Sequence, residues 1–379
     1  ARLLFEMMRG ETIELWKSRE VEEALDLCLG CKGCKSDCPV HVDMATYKAE
    51  FRAQHYRGRL RPRAAYSMGL IHRWSEYAAR LPGLVNLAAG SSLGKWAAGI
   101  ASQRSVPPYA RRTFRSWFQT RGKERDMERG KERNMAGGNG RRVMLWPDTF
   151  NNYFRPQTAI AATQVLESLG YEVTIPQRVL CCGRPLYDWG RLDEAKALWR
   201  ETMQTLATEI ASGTPIIGLE PACVSAFRDE LVDLFPDNQQ AQQLSRQTSF
   251  FTEFLERHEG DLPAVGGGAL VQLHCHHHAV IKPDAEKAVL KRLGVNYEIM
   301  ASGCCGMAGA FGFEKDKYEV SMKAAERVLL PKVRAAAGDT LILANGFSCR
   351  EQIEQGSARK TRHIADIIAE RIGATQPQP

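Results

Sequence analysis

With 379 residues the chain is too long for one small core, and two or three compact domains are expected. Its apolar content of 44% is that of a globular protein, and the longest apolar stretches, residues 84–100 and 264–273, are interrupted by Gly, Ser or Lys and fall short of a bilayer-crossing helix. The formal charge of +7 sits largely in residues 52–63, 104–115 and 121–142, partly mixed with acids, so solvated surface and linker outrank a nucleic-acid footprint; anionic lipid or an acidic partner is the lesser alternative.

Leu3, Leu4, Phe5, Met7 and Met8 open the chain as one face of an amphipathic helix, and no signal peptide is expected. A start inside a helix, with Ala1 in place of an initiator methionine, points to part of something longer. Residues 11–27 place apolar side chains at helical spacing, the run Cys28, Cys31, Cys34, Cys38, Pro39 follows, and residues 44–55 resume a helix. Residues 121–142 are Gly, Arg, Lys, Glu and Asn with almost nothing apolar, a composition that reads as a linker. Beyond it the spacing predicts strand 143–146, helix 157–169, strand 171–175, helix 192–211 and strand 215–219, a βαβαβ unit. The pattern recurs as strand 269–273, helix 284–293, strand 295–300, helix 318–337 and strand 340–344. The expected architecture is α plus α/β: a helical ferredoxin-like domain over 1–120, a basic linker over 121–142, and two repeated Rossmann-like Cys-Cys-Gly domains over 143–262 and 268–373.

The cysteines mark the same repeat. Cys181, Cys182 and Gly183 follow the second strand of one unit, and Cys304, Cys305 and Gly306 follow that of the other. Cys223 and Cys349 follow the third strands, and Asp148 and Cys275 the first. Residues just past the carboxyl ends of parallel strands converge on one crevice, so each half is expected to gather its set at one site. Eleven cysteines in tight sets, including two adjacent pairs that disulfide geometry disfavours, read as metal or cluster ligands in a reducing cytoplasm.

A Cys-x2-Cys-x2-Cys run lets three thiolates wrap one corner of an iron–sulfur cube, and Cys-Pro shortly after supplies a fourth sulfur. Zinc sites usually pair two Cys-x2-Cys hooks instead, so a [4Fe-4S] cluster is the reading for Cys28, Cys31, Cys34 and Cys38. In two-cluster ferredoxins the fourth cysteine of such a run serves the other cluster. Cys38 therefore either closes its own cluster or serves a motif that this chain lacks. The second repeat offers four thiolates, Cys275, Cys304, Cys305 and Cys349, enough for a second cluster or metal. The first has Cys181, Cys182 and Cys223 with Asp148 where the fourth would stand, and is expected to be degenerate or to hold a different metal. Small buried residues at strand ends are the plain alternative for both sets. His274, His276, His277 and His278 surround Cys275 and are candidates for metal binding or proton transfer, although strand alternation would point them to opposite faces. Arg184, Asp188 and Glu220 are candidate linings of the first crevice, with surface salt bridges as the default. No Gly-x-Gly-x-x-Gly follows a strand, so no dinucleotide site is expected.

The Cys-Cys-Gly repeat resembles the cysteine-rich domain of heterodisulfide reductase and of the iron–sulfur subunits of glycolate, lactate and glycerol-3-phosphate oxidation systems. Segments 27–40, 43–50, 145–153, 181–188 and 346–352, among them Leu145-Trp146-Pro147-Asp148 and Gly346-Phe347-Ser348-Cys349, are more similar to one branch. That branch is the carboxyl-terminal part of large bacterial flavoproteins that join an FAD-binding D-2-hydroxyacid dehydrogenase to iron–sulfur domains, and the resemblance covers almost the whole chain. It implies FAD on a missing domain or partner subunit, where D-2-hydroxyglutarate or D-lactate is oxidised. Electrons would then leave through the cluster on this chain to a quinone or an electron-transfer flavoprotein. The implied location is the cytoplasm, with at most peripheral contact with the inner membrane. Heterodisulfide reductase repeats have five cysteines each and bind noncubane clusters; both repeats here fall short, which speaks against disulfide chemistry. Three alternatives stand: a separate subunit of a lactate-utilisation complex, catalysis on a thiol or quinone at the second Cys-Cys-Gly set, or a scaffold around a single cluster.

Overall fold

A computed structural model describes residues 2–11, 15–131 and 141–373. The amino-terminal region is all-helical: α1 (Arg2–Arg9), α2 (Arg19–Asp26), α3 (Gly33–Asp37), α4 (Met44–His55), α5 (Arg63–Ser67), α6 (Ile71–Ala78), α7 (Pro82–Gly90), α8 (Ser92–Ala98) and α9 (Phe114–Lys131). Of the helix expected over 11–27, residues 12–14 lie outside the described residues; α2 begins at Arg19, where the Ser18 hydroxyl caps it by accepting from Val21 N at 3.2 Å. Asp43 caps α4 in the same way, through the N–H groups of Ala45 and Thr46. The segment expected to be a linker is helical as far as Lys131, since α9 is anchored by Phe114, Trp117 and Phe118 in the main core; residues 132–140 lie outside the described residues.

Seven strands follow among the described residues. β1 (Arg142–Trp146), β2 (Glu172–Thr174), β3 (Ile216–Gly218) and β4 (Thr248–Phe250) form a parallel sheet in the order β2-β1-β3-β4. β5 (Gly268–Gln272), β6 (Asn296–Ile299) and β7 (Leu341–Ala344) form a second, ordered β6-β5-β7. In each sheet the first strand is flanked by the next two, the Rossmann-like arrangement expected of two βαβαβ units. Val143 to Trp146 are all buried, as a central strand covered on both faces requires. β4 escaped sequence reading because three residues between two helices show no period. The helices expected over 192–211 and 318–337 are each broken in two, at Leu206 and near Val328.

The two sheets share one core. Val165 and Leu166 of helix Pro156–Ser168 pack with Ile364, Ile367 and Ile368 of helix Ile364–Arg371, and Phe254 and Leu255 pack with Val289 and Leu290. The loops at the carboxyl ends of the strands are tied across the repeats. Glu220 accepts from Phe347 N at 2.8 Å, and the buried Arg350 guanidinium donates to Thr158 Oγ1 at 3.0 Å and Asn151 Oδ1 at 3.2 Å. The helical region is clamped to both: Arg104 donates to Gly312 O and Ser321 Oγ in the second repeat, and Arg61 to Trp189 O and Gly190 O in the first.

Candidate metal centre

The Cys-Cys-Gly turns are built alike. Gly183 and Gly306 stand at φ of +80° and +85°, and a β-carbon would lie 2.8 Å from Trp199 Nε1 at the first and 2.2 Å from Ser321 O at the second. At the first turn the close approach is put to use, with Trp199 Nε1 donating to Cys182 O at 2.8 Å. Cys223 and Cys349 each take the third position of a helix, Pro221–Arg228 and Phe347–Ser357.

In the second repeat Cys275, Cys304, Cys305 and Cys349 form a string in which each thiol is close enough to shift the ionisation of the next. The neighbouring Cys304 thiol, reinforced by burial, pushes the Cys275 thiol well above its ordinary value. All four thiols are raised, so each resists ionising alone. Binding a cationic centre reverses that preference by holding the thiolates and releasing protons. Among the described residues no three cysteine sulfurs lie within 4.8 Å of one another. Thiolates around one tetrahedral zinc stand about 3.8 Å apart, given Zn–S bonds of about 2.3 Å. The four cysteines offer sulfur ligands for a metal ion or an iron–sulfur cluster.

The first repeat differs. The free thiols of Cys181, Cys182 and Cys223 follow one another, each shifting the ionisation of the next, and Thr149 Oγ1 donates to Cys181 Sγ at 3.8 Å. Cys223 is pushed up to about 12: the Cys182 thiol pulls it down, but burial and the Asp148 and Glu220 carboxyls outweigh it. Asp148 is buried beside this set, yet its carboxylate caps helix Thr149–Tyr153. Oδ1 accepts from Phe150 N and Asn151 N at 3.0 Å, and Oδ2 from Asn151 Nδ2 at 2.8 Å.

The amino-terminal run reaches across to the second repeat. Burial raises the Cys31 thiol; Gly33 N–H opposes this, and the nearby thiols of Cys275, Cys28 and Cys34 add to it. Cys34 Sγ accepts from Met44 N at 3.3 Å. Lys48 Nζ donates to Cys28 O at 2.6 Å, and burial, aided by Arg52, brings its ammonium down to about 8. Cys38 is set apart: the N–H groups of Val42, Val40 and His41 face its sulfur and lower its pKa.

A cavity of about 640 Å³ takes its walls from all three sets. Cys28 and Cys31 border it on one side, Cys181, Cys182 and Cys223 on another, and Cys275, Cys304 and Cys305 on a third. The two separate crevices expected from the repeats are therefore a single space into which the helical region inserts its own cysteines. Much of the remaining wall is apolar, including Ile71, Val85, Ile100 and Phe154.

The histidines do not alternate as on a strand, because β5 ends at Gln272 and His277–Ile281 is a π-helix. His274 and His276 line the cavity, and His276 Nε2 lies 2.9 Å from Gly30 O. Burial pushes His274 down to about 4 and His277 to about 3, so both imidazoles are neutral near pH 7. The surface salt bridges assumed for Arg184 and Glu220 give way to burial: Arg184 lies 2.5 Å from fully buried Glu230, and Glu220 is 2% exposed. Asp188 borders the cavity.

Sequence reasoning missed Lys32. It stands at φ +59° between Cys31 and Cys34 with its side chain wholly buried, and its Nζ lies 2.9 Å from Asp43, 2.8 Å from Asp229 and 2.9 Å from Glu230. Lys35 pairs with Asp229 as well. These contacts span almost two hundred residues, and nothing local announces them. The carboxylates of Asp43, Asp229 and Asp233 converge, but the two lysines already supply the positive charge there.

Residues 148–228 and 271–354 match the family model for a cysteine-rich (CCG) domain. Fold and site together define a helical region that carries a cysteine run, followed by two cysteine-rich domains on parallel sheets. Among characterised proteins, D-2-hydroxyglutarate dehydrogenase of Pseudomonas putida is 28% identical over 359 residues, covering 93% of this chain and 34% of that protein. One of the subunits of the anaerobic glycerol-3-phosphate dehydrogenase of Escherichia coli is 25% identical over 280 residues, 72% of this chain and 67% of that one. Lactate utilization protein A of Bacillus velezensis is 26% identical over 249 residues, 61% of this chain and all of that protein. The chain spans about a third of the length of the D-2-hydroxyglutarate dehydrogenases it matches. At this identity it is related to the group without being assigned to one member.

Proposed function

We propose that this chain is the iron–sulfur electron-transfer part of an oxidoreductase, receiving electrons from an FAD-dependent D-2-hydroxyacid dehydrogenase domain or subunit and passing them to a quinone or an electron-transfer flavoprotein. The observation that carries the reading is the single cavity walled by all three cysteine sets. Cys28, Cys31 and Cys34 would hold a [4Fe-4S] cluster, with Cys38 as its fourth ligand or that of a neighbouring cluster. Cys275, Cys304, Cys305 and Cys349 would hold a second cluster or metal. A bound cluster supplies one-electron transfer at a potential set by burial and nearby hydrogen bonds. Lys48, close behind Cys28, balances thiolate charge, and neutral His274 and His276 keep that side of the cavity uncharged. Cys181, Cys182 and Cys223 serve as packed thiols in the wall, with Asp148 a helix cap. The names of the relatives support the choice of donor.

The test is iron quantitation with electron paramagnetic resonance on anaerobically prepared protein. Two cubane clusters require about eight irons per chain. Cys304→Ser is expected to remove about half of them, and Cys181→Ser none. About four irons in the wild type, unchanged by Cys304→Ser, would refute a second iron–sulfur cluster; no iron at all would refute the whole reading.

A further inference from the structure

Leu84 and Leu87 on α7, Leu93 and Trp96 on α8, Leu81 just before α7 and Tyr77 on α6 are each more than 60% exposed. Neither α7 nor α8 buries a single residue. A lone exposed leucine needs no explanation, but a contiguous apolar face on adjacent helices marks a binding surface. The inner side of the same helices is also apolar, since Val85, Ala89 and Ala97 line the cavity. α7 contains no charged residue, and a helix apolar on both faces is built for two apolar neighbours.

The segment that carries the face is cationic. Glu76 is the sole acid between Arg57 and Arg112, whereas Arg73, Arg80, Lys95, Arg111 and Arg112 fall in the same stretch of sequence, Arg73 being paired with Glu194. Two of its aromatic rings carry guanidinium groups, Arg63 over Trp96 at 4.5 Å and Arg80 over Tyr77 at 5.4 Å, the pairing suited to a water–lipid boundary. Two polar side chains within the patch, Asn86 and Ser91, are turned back into the fold. Asn86 bonds Tyr109 through both its amide atoms, and the Ser91 hydroxyl donates to Ala88 O while accepting from Gly94 N. A protein interface of this extent ordinarily offers hydrogen-bonding groups to its partner. Apolar side chains, self-satisfied polar groups and a basic segment are instead what an anionic lipid surface selects. None of the described helices is long and apolar enough to cross a membrane, so these would lie in its plane.

We propose that the outer face of α6–α8 docks on an anionic lipid bilayer, bringing the cavity wall formed by α7 and α8 against the membrane. Binding to lipid needs no cluster, so this proposal and the electron-transfer reading fail separately. The test is co-sedimentation of the full-length protein with vesicles of phosphatidylcholine, with and without phosphatidylglycerol. Wild type should bind the anionic vesicles more tightly, and less so at high salt. Leu84→Ser/Leu87→Ser/Trp96→Ser should weaken binding at least about tenfold while leaving melting temperature and iron content unchanged. Arg80→Gln/Lys95→Gln/Arg111→Gln should abolish the preference for phosphatidylglycerol. No binding by the wild type, or equal binding by the triple serine variant, overturns the proposal. So does a change of oligomeric state in that variant without vesicle binding, which would assign the face to a second copy of the chain.

Discussion

Lys32 joins the amino-terminal cysteine run to the first cysteine-rich domain, and Lys32→Met removes the joining charge while keeping the stem. The ammonium lies against Asp43, Asp229 and Glu230, all of them buried. Taking one partner from a buried ion pair costs about 3–5 kcal/mol, chiefly because the other charge is left uncompensated. Here compensation is partial: Lys35 still meets Asp229, Arg184 still meets Glu230, and Asp43 keeps its bonds from Ala45 N, Thr46 N and Thr46 Oγ1. The expected loss is therefore at the lower end, about 3 kcal/mol. Because the contact docks one loop, the loss should be local. Hydrogen exchange should show protection over residues 28–43 falling by about a hundredfold, with β1–β4 unchanged. Lys32→Met/Glu230→Gln should recover part of it. The acid side follows with its sign. Burial pushes Asp43 and Asp229 up, but Lys32 overrides it and both end below their ordinary value. Their stabilisation is thus present above about pH 4 and lost as pH falls through their lowered folded values, and the variant should lose the part of that dependence that Lys32 supplies. Unchanged exchange in Lys32→Met, or a uniform loss across the chain, would refute the argument.

Alanine at Gly306 meets the Ser321 carbonyl, rigid backbone, whereas alanine at Gly183 meets the Trp199 side chain. The left-handed backbone alone costs about 1–3 kcal/mol at either, and thermal unfolding should show Gly306→Ala to be clearly the worse; equal losses would refute the role of the carbonyl. Glu286 is 0% exposed, and burial pushes its carboxyl up to about 7 against the bond from Asn345 Nδ2. The folded state then holds a proton that the unfolded state releases, so stability falls as pH rises from about 4.5 to about 7, by roughly 3 kcal/mol at most; Glu286→Gln should flatten the urea-unfolding profile there, and a parallel profile would count against it. Asp148→Cys restores the pattern of the second repeat but loses a helix cap, so it should cost about 0.5–2 kcal/mol without adding iron. A gain in bound iron would show that the first set lacks only a thiol.

The parallel sheets were readable in the sequence because central strands are continuous apolar runs and the intervening helices end at Gly170, Gly213 and Gly294. The repeat was readable twice over, since each Cys-Cys-Gly sits at the same point of its unit. The merging of the sites was not. That depends on Glu220 meeting Phe347, Arg350 meeting Asn151, and Lys32 crossing to Asp229, pairings between residues more than a hundred positions apart that leave no local trace. The histidine run misled for the opposite reason: its neighbours suggested a strand, and the chain had already left the sheet at Gln272.

The inequality of the two repeats has a physical logic. Where the second repeat places the Cys275 thiol, the first places a carboxylate that caps helix Thr149–Tyr153. That helix presents Phe150 and Asn151 to the other half: Phe150 stacks on Phe347 with ring centroids 4.4 Å apart, and Asn151 accepts from Arg350. Glu220, one turn before Cys223, takes the N–H of Phe347. All three contacts fall on the first turn of the helix that carries Cys349. A set of thiols gathered in a buried site needs its supporting shell fixed, because the ligands hold their geometry only if the residues behind them do. The repeat that lacks the fourth thiol thus positions the helix of the repeat that has it, and its own cysteines close the facing wall of the cavity.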